Sequence, residues 1–84
     1  MNKGILYFSA PWCGPCQQLT PIIDTLPSNI NIRKINVDYD ADLVQRYNVK
    51  SVPTLVLTDM SGNELKRLQG GGKTREQIIN WYNG

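Results

Sequence analysis

Histidine is missing from this 84-residue chain, and cysteine occurs twice. A structural zinc site wants four Cys or His ligands, so this sequence could complete one only with carboxylates or a second subunit. Long apolar runs are missing too, since none nears the roughly 18–20 residues of a membrane span. The short apolar stretch Ile5–Phe8 lacks a small-residue cleavage site at a suitable distance, and no secretory signal is expected. Excess charge is small: nine Lys and Arg against seven Asp and Glu leave +2. That argues against a nucleic acid or an anionic membrane as partner, because such footprints need clustered cations. The nearest approach to a cluster, Lys66, Arg67 and Lys73, reads as a solvated face. These absences point to the cytoplasm, a reducing compartment. There, a cysteine pair is more often catalytic or metal-binding than a permanent staple.

What remains is a single small domain over residues 1–84, with 40% hydrophobic residues, no repeat and no linker. Gly4–Ser9 is a nearly continuous apolar run, the pattern of a strand buried on both faces. Leu19, Ile22, Ile23 and Leu26 then follow helical spacing. Pro21 is expected to kink that helix, because its ring displaces the bond to the Gln17 carbonyl. Pro27 with Ser28-Asn29 is expected to end it. Ile30–Val37 reads as a strand whose alternation slips between Ile32 and Ile35, through a bulge or through burial on both faces. Asp40 is placed to cap a short helix carrying Leu43, Val44 and Tyr47, with Asn48 just past its end. Pro53–Thr58 and Glu64–Gln69 form a hairpin by spacing, turning over Asp59–Asn63. Thr74 and Gln77 make a capping-box pattern before a last helix with Ile78, Ile79, Trp81 and Tyr82. The predicted order is βαβαββα in the α/β class. Its first two strands are parallel, the hairpin adds antiparallel strands, and helices cover both faces.

Both cysteines lie in "SAPWCGPCQQL", Ser9–Leu19, two residues apart. Three chemistries compete for them. Zinc lacks ligands. A staple closing a ring of about four residues gains only about 2 kcal/mol from loop closure, near the bottom of the disulfide range. Redox exchange fits the placement better. Cys13 falls at the mouth of the first helix, where free N–H groups and the positive end of the dipole favour an anion, and the thiolate is the reactive species. Cys16 lies one turn further in, able to attack a mixed disulfide on Cys13. Between them, Gly14 lets the chain turn tightly, and Pro15 suits a first helical turn, where its missing N–H costs nothing.

"WCGPC" at Trp12–Cys16, Pro21 five residues after Cys16, "KINVD" at Lys34–Asp38, "VPT" at Val52–Thr54 and the glycine of "GGGKT" at Gly71 together resemble the thioredoxin family, from about Gly4 to Tyr82. The resemblance implies the thioredoxin fold with a four-stranded mixed sheet, and a protein thiol–disulfide oxidoreductase that reduces substrate disulfides. It makes Cys13 the attacking thiol and Cys16 the resolving one, with Trp12 flanking the site and Pro53 cis against the pair. The backbone of Val52 would pair with an extended substrate segment, and glycine at Gly71 would leave room for it. No cofactor is implied beyond the redox-active Cys13–Cys16 disulfide. The implied partners are protein disulfides and an electron donor of the thioredoxin reductase type, with the chain itself a monomer.

Two departures qualify the likeness. Where the family usually carries a buried Asp in its first strand, thought to take the proton of the resolving thiol, this chain has Tyr7. Water, or a network including Tyr7 and Lys34, is expected to serve instead. The family's N-terminal strand and helix are also missing, as in compact thioredoxin- or glutaredoxin-like proteins. Ile30–Val37 is therefore expected at a sheet edge, guarded by Arg33 and Lys34. "GGGKT" at Gly70–Thr74 is a decoy for a phosphate loop, whose first glycine would stand where Arg67 is. Two rival functions remain open: a glutathione-dependent, glutaredoxin-like reductase, and a binding subunit with incidental redox turnover.

Overall fold

The computed structural model of the chain describes residues 3–84. It holds, in order, β1 (Lys3–Ser9), α1 (Gly14–Asp24), β2 (Ile32–Asn36), α2 (Ala41–Arg46), β3 (Thr54–Asp59), β4 (Glu64–Gln69) and α3 (Arg75–Asn83). This is the element order read from the sequence. The four strands form one mixed sheet in the order β2-β1-β3-β4. β1 runs parallel to β2, with Ile5 opposite Ile32 and Ser9 opposite Asn36. β3 is antiparallel to both β1 and β4.

The apolar run of β1 explains its central place, because each of its faces meets a separate core. Ile5 and Tyr7 pack with Leu19 and Ile23 of α1 and with Ile78 and Tyr82 of α3. Phe8 and the half-buried Leu6 pack on the other face with Ile35, Tyr47 and Val56, next to α2. Helices thus cover both faces. β2 lies at the edge, as expected, and its ladder with β1 is unbroken. Its phase slip is two-faced burial, with Ile32 on the α1 side and Ile35 on the α2 side. The irregularity in the sheet falls elsewhere, between Leu57 and Thr58 where β3 meets β4.

Local chemistry sets the boundaries. α1 runs unbroken through Pro21 but stops at Asp24, earlier than Pro27 suggested. Thr25 turns its hydroxyl onto the Ile22 carbonyl at 2.8 Å, and Leu26, which precedes a proline, is steered away from helix. Asp40 occupies the N-cap position of α2, yet its side chain makes no capping bond. The other end is tightly closed: Asn48 adopts a left-handed φ of 52°, while its N–H and that of Val49 bond back to Gln45 and Val44. At α3 the capping box forms in full, with Gln77 N–H to Thr74 Oγ1 at 3.1 Å and Thr74 N–H to Gln77 Oε1 at 2.8 Å.

The hairpin turn is organised by the Asp59 carboxylate, which accepts the N–H groups of Ser61 and Asn63, each at 2.9 Å. The Asn63 N–H leads the causes that hold its pKa below the usual carboxylate value. On β4, Arg67 donates to both oxygens of Glu64 and, at 2.6 Å, to the Tyr47 carbonyl, tying the hairpin to the end of α2.

Thr74→Ala should cost about 1 kcal/mol, read as a lower urea midpoint at unchanged slope. Ile78→Ala, from a fully buried site, should cost about 2–5 kcal/mol. Hydrogen bonding from Arg67 lowers the Glu64 pKa. The stability this adds is present above the ordinary Glu range and is lost as pH falls through the lowered value. Glu64→Gln should therefore flatten the acid limb of stability against pH.

Candidate active site

Cys13 is the N-cap of α1, in extended backbone with φ −89° and ψ 112°. Its sulfur accepts the Cys16 N–H at 3.2 Å, which satisfies one of the free donors of the first turn. Pro15 occupies that first turn as expected. Cys13 and Cys16 are joined by a disulfide, with their Cα atoms 5.2 Å apart. Both are buried, at 5% and 2% exposure, in a small apolar pocket with Ala10, Val37 and Val52. The Val52–Pro53 peptide is cis, and the Val52 carbonyl oxygen lies 3.7 Å from the Cys13 sulfur. Neither the N–H nor the C=O of Val52 bonds another backbone group among the described residues.

Trp12 is 67% exposed beside the pair, and its Nε1–H donates to both oxygens of Asp38, at 3.2 and 3.0 Å. Asp38, on the turn after β2, is a site residue that sequence reasoning placed only at a strand end. The usable signal was the indole N–H itself, which needs a partner if its ring is to be held.

Two glycines of the site differ in what their surroundings demand. Gly14 has no left-handed φ and is the first residue of α1, so the tight turn does not require it. A Cβ there would meet nothing within 4 Å, and its surroundings are open space. Gly71 is needed within the chain: a Cβ would stand 3.0 Å from that of Pro15, so glycine lets the loop after β4 lie against the active-site helix. Its neighbours Gly70 and Gly72 take left-handed φ of 86° and 73°. In the same loop, the Lys73 ammonium bonds back to the carbonyls of Gln69 and Gly71, at 3.2 and 3.4 Å, rather than reaching outward as in a phosphate loop.

Tyr7 is fully buried behind Cys16. Its hydroxyl donates to the Cys16 carbonyl at 3.3 Å and pairs with Thr20 Oγ1 at 2.8 Å. Lys34 faces Tyr7 in the β1–β2 ladder, yet its ammonium pairs with the half-exposed carboxylate of Asp24. The expected network therefore holds Tyr7 and Thr20, with Lys34 turned to Asp24 at the helix's far end. Among the described residues no three His, Cys, Asp or Glu side chains gather to hold a metal ion, and no helix is long and apolar enough to cross a membrane. The chemistry this arrangement offers is the making and breaking of one sulfur–sulfur bond, at a sulfur placed where an anion is favoured.

Residues 1–83 match the family model described as thioredoxin. A thioredoxin of Chlamydia pneumoniae is 42% identical over 79 residues, covering 90% of this chain and 76% of its own length. A thioredoxin of Rickettsia felis is 34% identical over 80 residues, covering 90% and 74%. Among solved structures, a mutant thioredoxin of Halobacterium salinarum superposes with a TM-score of 0.87 at 32% identity, over 98% of this chain and 73% of that one.

Asp38→Ala should leave global stability within about 0.5 kcal/mol, since the residue is exposed. It should shift the Trp12 indole N–H resonance and slow disulfide exchange about two- to fivefold, the loss of one modest hydrogen bond of about 0.5–1 kcal/mol.

Proposed function

The chain belongs to the thioredoxin family and is a thiol–disulfide oxidoreductase; on that premise we propose that it reduces protein disulfides, with Cys13 attacking and Cys16 resolving. One observation carries the assignment of roles. Cys13, not Cys16, is the sulfur at the amino end of α1 that receives a backbone N–H, and it is the more exposed of the two. In the reduced protein the same N–H would stabilise a thiolate there.

The Cys13 thiolate attacks one sulfur of the substrate disulfide, and the other substrate sulfur leaves as a thiolate. Cys16 then loses its proton and attacks the Cys13 sulfur. The second substrate sulfur leaves, and the protein is left with the Cys13–Cys16 disulfide. The substrate has gained two electrons and the protein has lost two. Val52 offers its unbonded backbone groups beside the reacting sulfur, which supports strand-like pairing with an extended substrate segment. Trp12, fixed by Asp38, borders that approach, and the cis Pro53 that follows Val52 is buried. The donor this reading implies is a thioredoxin reductase, and the setting is a reducing compartment such as the cytoplasm.

Cys13→Ser should abolish reduction of a protein disulfide. Cys16→Ser should accumulate a covalent substrate adduct on Cys13, detected by mass spectrometry of the intact protein. Turnover should be sustained by thioredoxin reductase and not by glutathione alone. Exchange at the normal rate by Cys13→Ser would refute the roles assigned to the two cysteines, and a biological effect that survives loss of both would favour a binding subunit.

A further inference from the structure

Resolution requires Cys16 to lose a proton, and among the described residues no free carboxylate is placed to take it. Cys16 is 2% exposed, and the polar groups buried among the described residues are hydroxyls, those of Thr54, Thr58, Tyr7, Tyr47 and Tyr82, with no carboxylate among them. The carboxylates of Asp24 and Asp38 are already engaged by Lys34 and Trp12. What does reach Cys16 is a solvent-open cleft of about 410 Å³, whose polar lining is Ser9, Gln17, Thr20 and Asn36, all uncharged. Gln17 spends one Nε2–H on the Pro11 carbonyl at 3.0 Å.

Thr20 stands four residues after Cys16 and so shares its face of α1. Its hydroxyl orientation follows from Tyr7. The phenol has one proton and a carbonyl can only accept, so both contacts are satisfied together when Tyr7 donates to the Cys16 carbonyl and Thr20 donates to Tyr7 at 2.8 Å. A threonine hydroxyl has one donor and two acceptor positions. With its donor spent on Tyr7, Thr20 is left as an acceptor on the wall of the cleft.

We propose that the proton of Cys16 leaves through this cleft to solvent base, with Thr20, oriented by Tyr7, positioning the water that receives it. The inference rests on the reading of Cys16 as the resolving thiol and adds its proton route. Base takes the proton from Cys16, and the sulfur's electron pair forms the bond to Cys13. The bond from Cys13 to substrate breaks, and its electron pair departs on the substrate thiolate. Thr20 acts as a positioning residue, and the resolving step draws on a base from outside the protein.

The test uses the wild-type protein carrying a chromogenic aryl thiol as a mixed disulfide on Cys13, formed and held in acid so that Cys16 stays protonated. Stopped-flow transfer to neutral pH, at constant ionic strength and increasing imidazole, then follows release of the aryl thiolate. The rate should climb in proportion to imidazole, by about fivefold across an accessible concentration range, as general-base catalysis by an external base requires. Thr20→Val should lower the imidazole-free rate about three- to tenfold, leave the imidazole slope unchanged, and be rescued by Thr20→Ser. A wild-type rate independent of imidazole would overturn the proposal, as would equal losses in both terms for Thr20→Val. Failure of the mixed disulfide to form on Cys13 would instead overturn the roles of the two cysteines, and the proton route with them.

Discussion

A single contact, the Cys16 N–H pointing at the Cys13 sulfur, organises the site. It is at once a helix cap and an electrostatic device. As a cap it satisfies a donor that the first turn of α1 would leave free, and so fixes where the helix starts. As a device it sets one cysteine apart from the other, because only the sulfur at the helix mouth sits in the field of the amino end. The other elements serve that placement. β1 delivers the chain to the helix mouth, the Val52–Pro53 segment lies across from the sulfur, and Gly71 lets the loop after β4 close against Pro15.

The architecture makes this placement possible in a short chain. β1 is packed on both sides, with Tyr7 against α1 and α3 and Phe8 against the α2 core, so the strand that leads into the active-site loop is held by a core on each face. Arg67 fastens β4 to the Tyr47 carbonyl, while the Schellman-type end of α2 leads into the segment before Pro53. Each of these ties acts on an element that carries a piece of the site.

How much of this was legible beforehand depends on the range of the interaction. Cys13, Cys16 and Pro15 were readable because the N-cap and the first turn are local, as was the Thr74–Gln77 box. The edge place of β2 followed from the family resemblance, because the strand that would flank it there has no counterpart in this sequence. Where a role depends on a neighbour from another element, only the cis Val52–Pro53 segment beside Cys13 was anticipated, through the family resemblance; the rest was not readable. Trp12 finds Asp38 across 26 residues of sequence, and Tyr7 finds Thr20 across 13. Lys34, opposite Tyr7 in the ladder, turns out to be drawn to Asp24 by the nearer opposite charge. The glycines show the same division: sequence called for one at Gly71, while the side chain it must avoid, Pro15, is visible only in three dimensions.

The two borders of the sheet bear on how copies of the molecule behave in a crowded solution. The β2 border presents Arg33 and Lys34, and the β4 border presents Lys66 and Arg67. Lys34 and Arg67 are partly neutralised by their carboxylate neighbours, which leaves Arg33 and Lys66 to set the local sign. Whichever borders meet, cation faces cation, so lateral growth into longer ribbons is disfavoured by colloidal repulsion. That protection weakens as salt shortens the reach of the charges to about 3 Å at molar ionic strength.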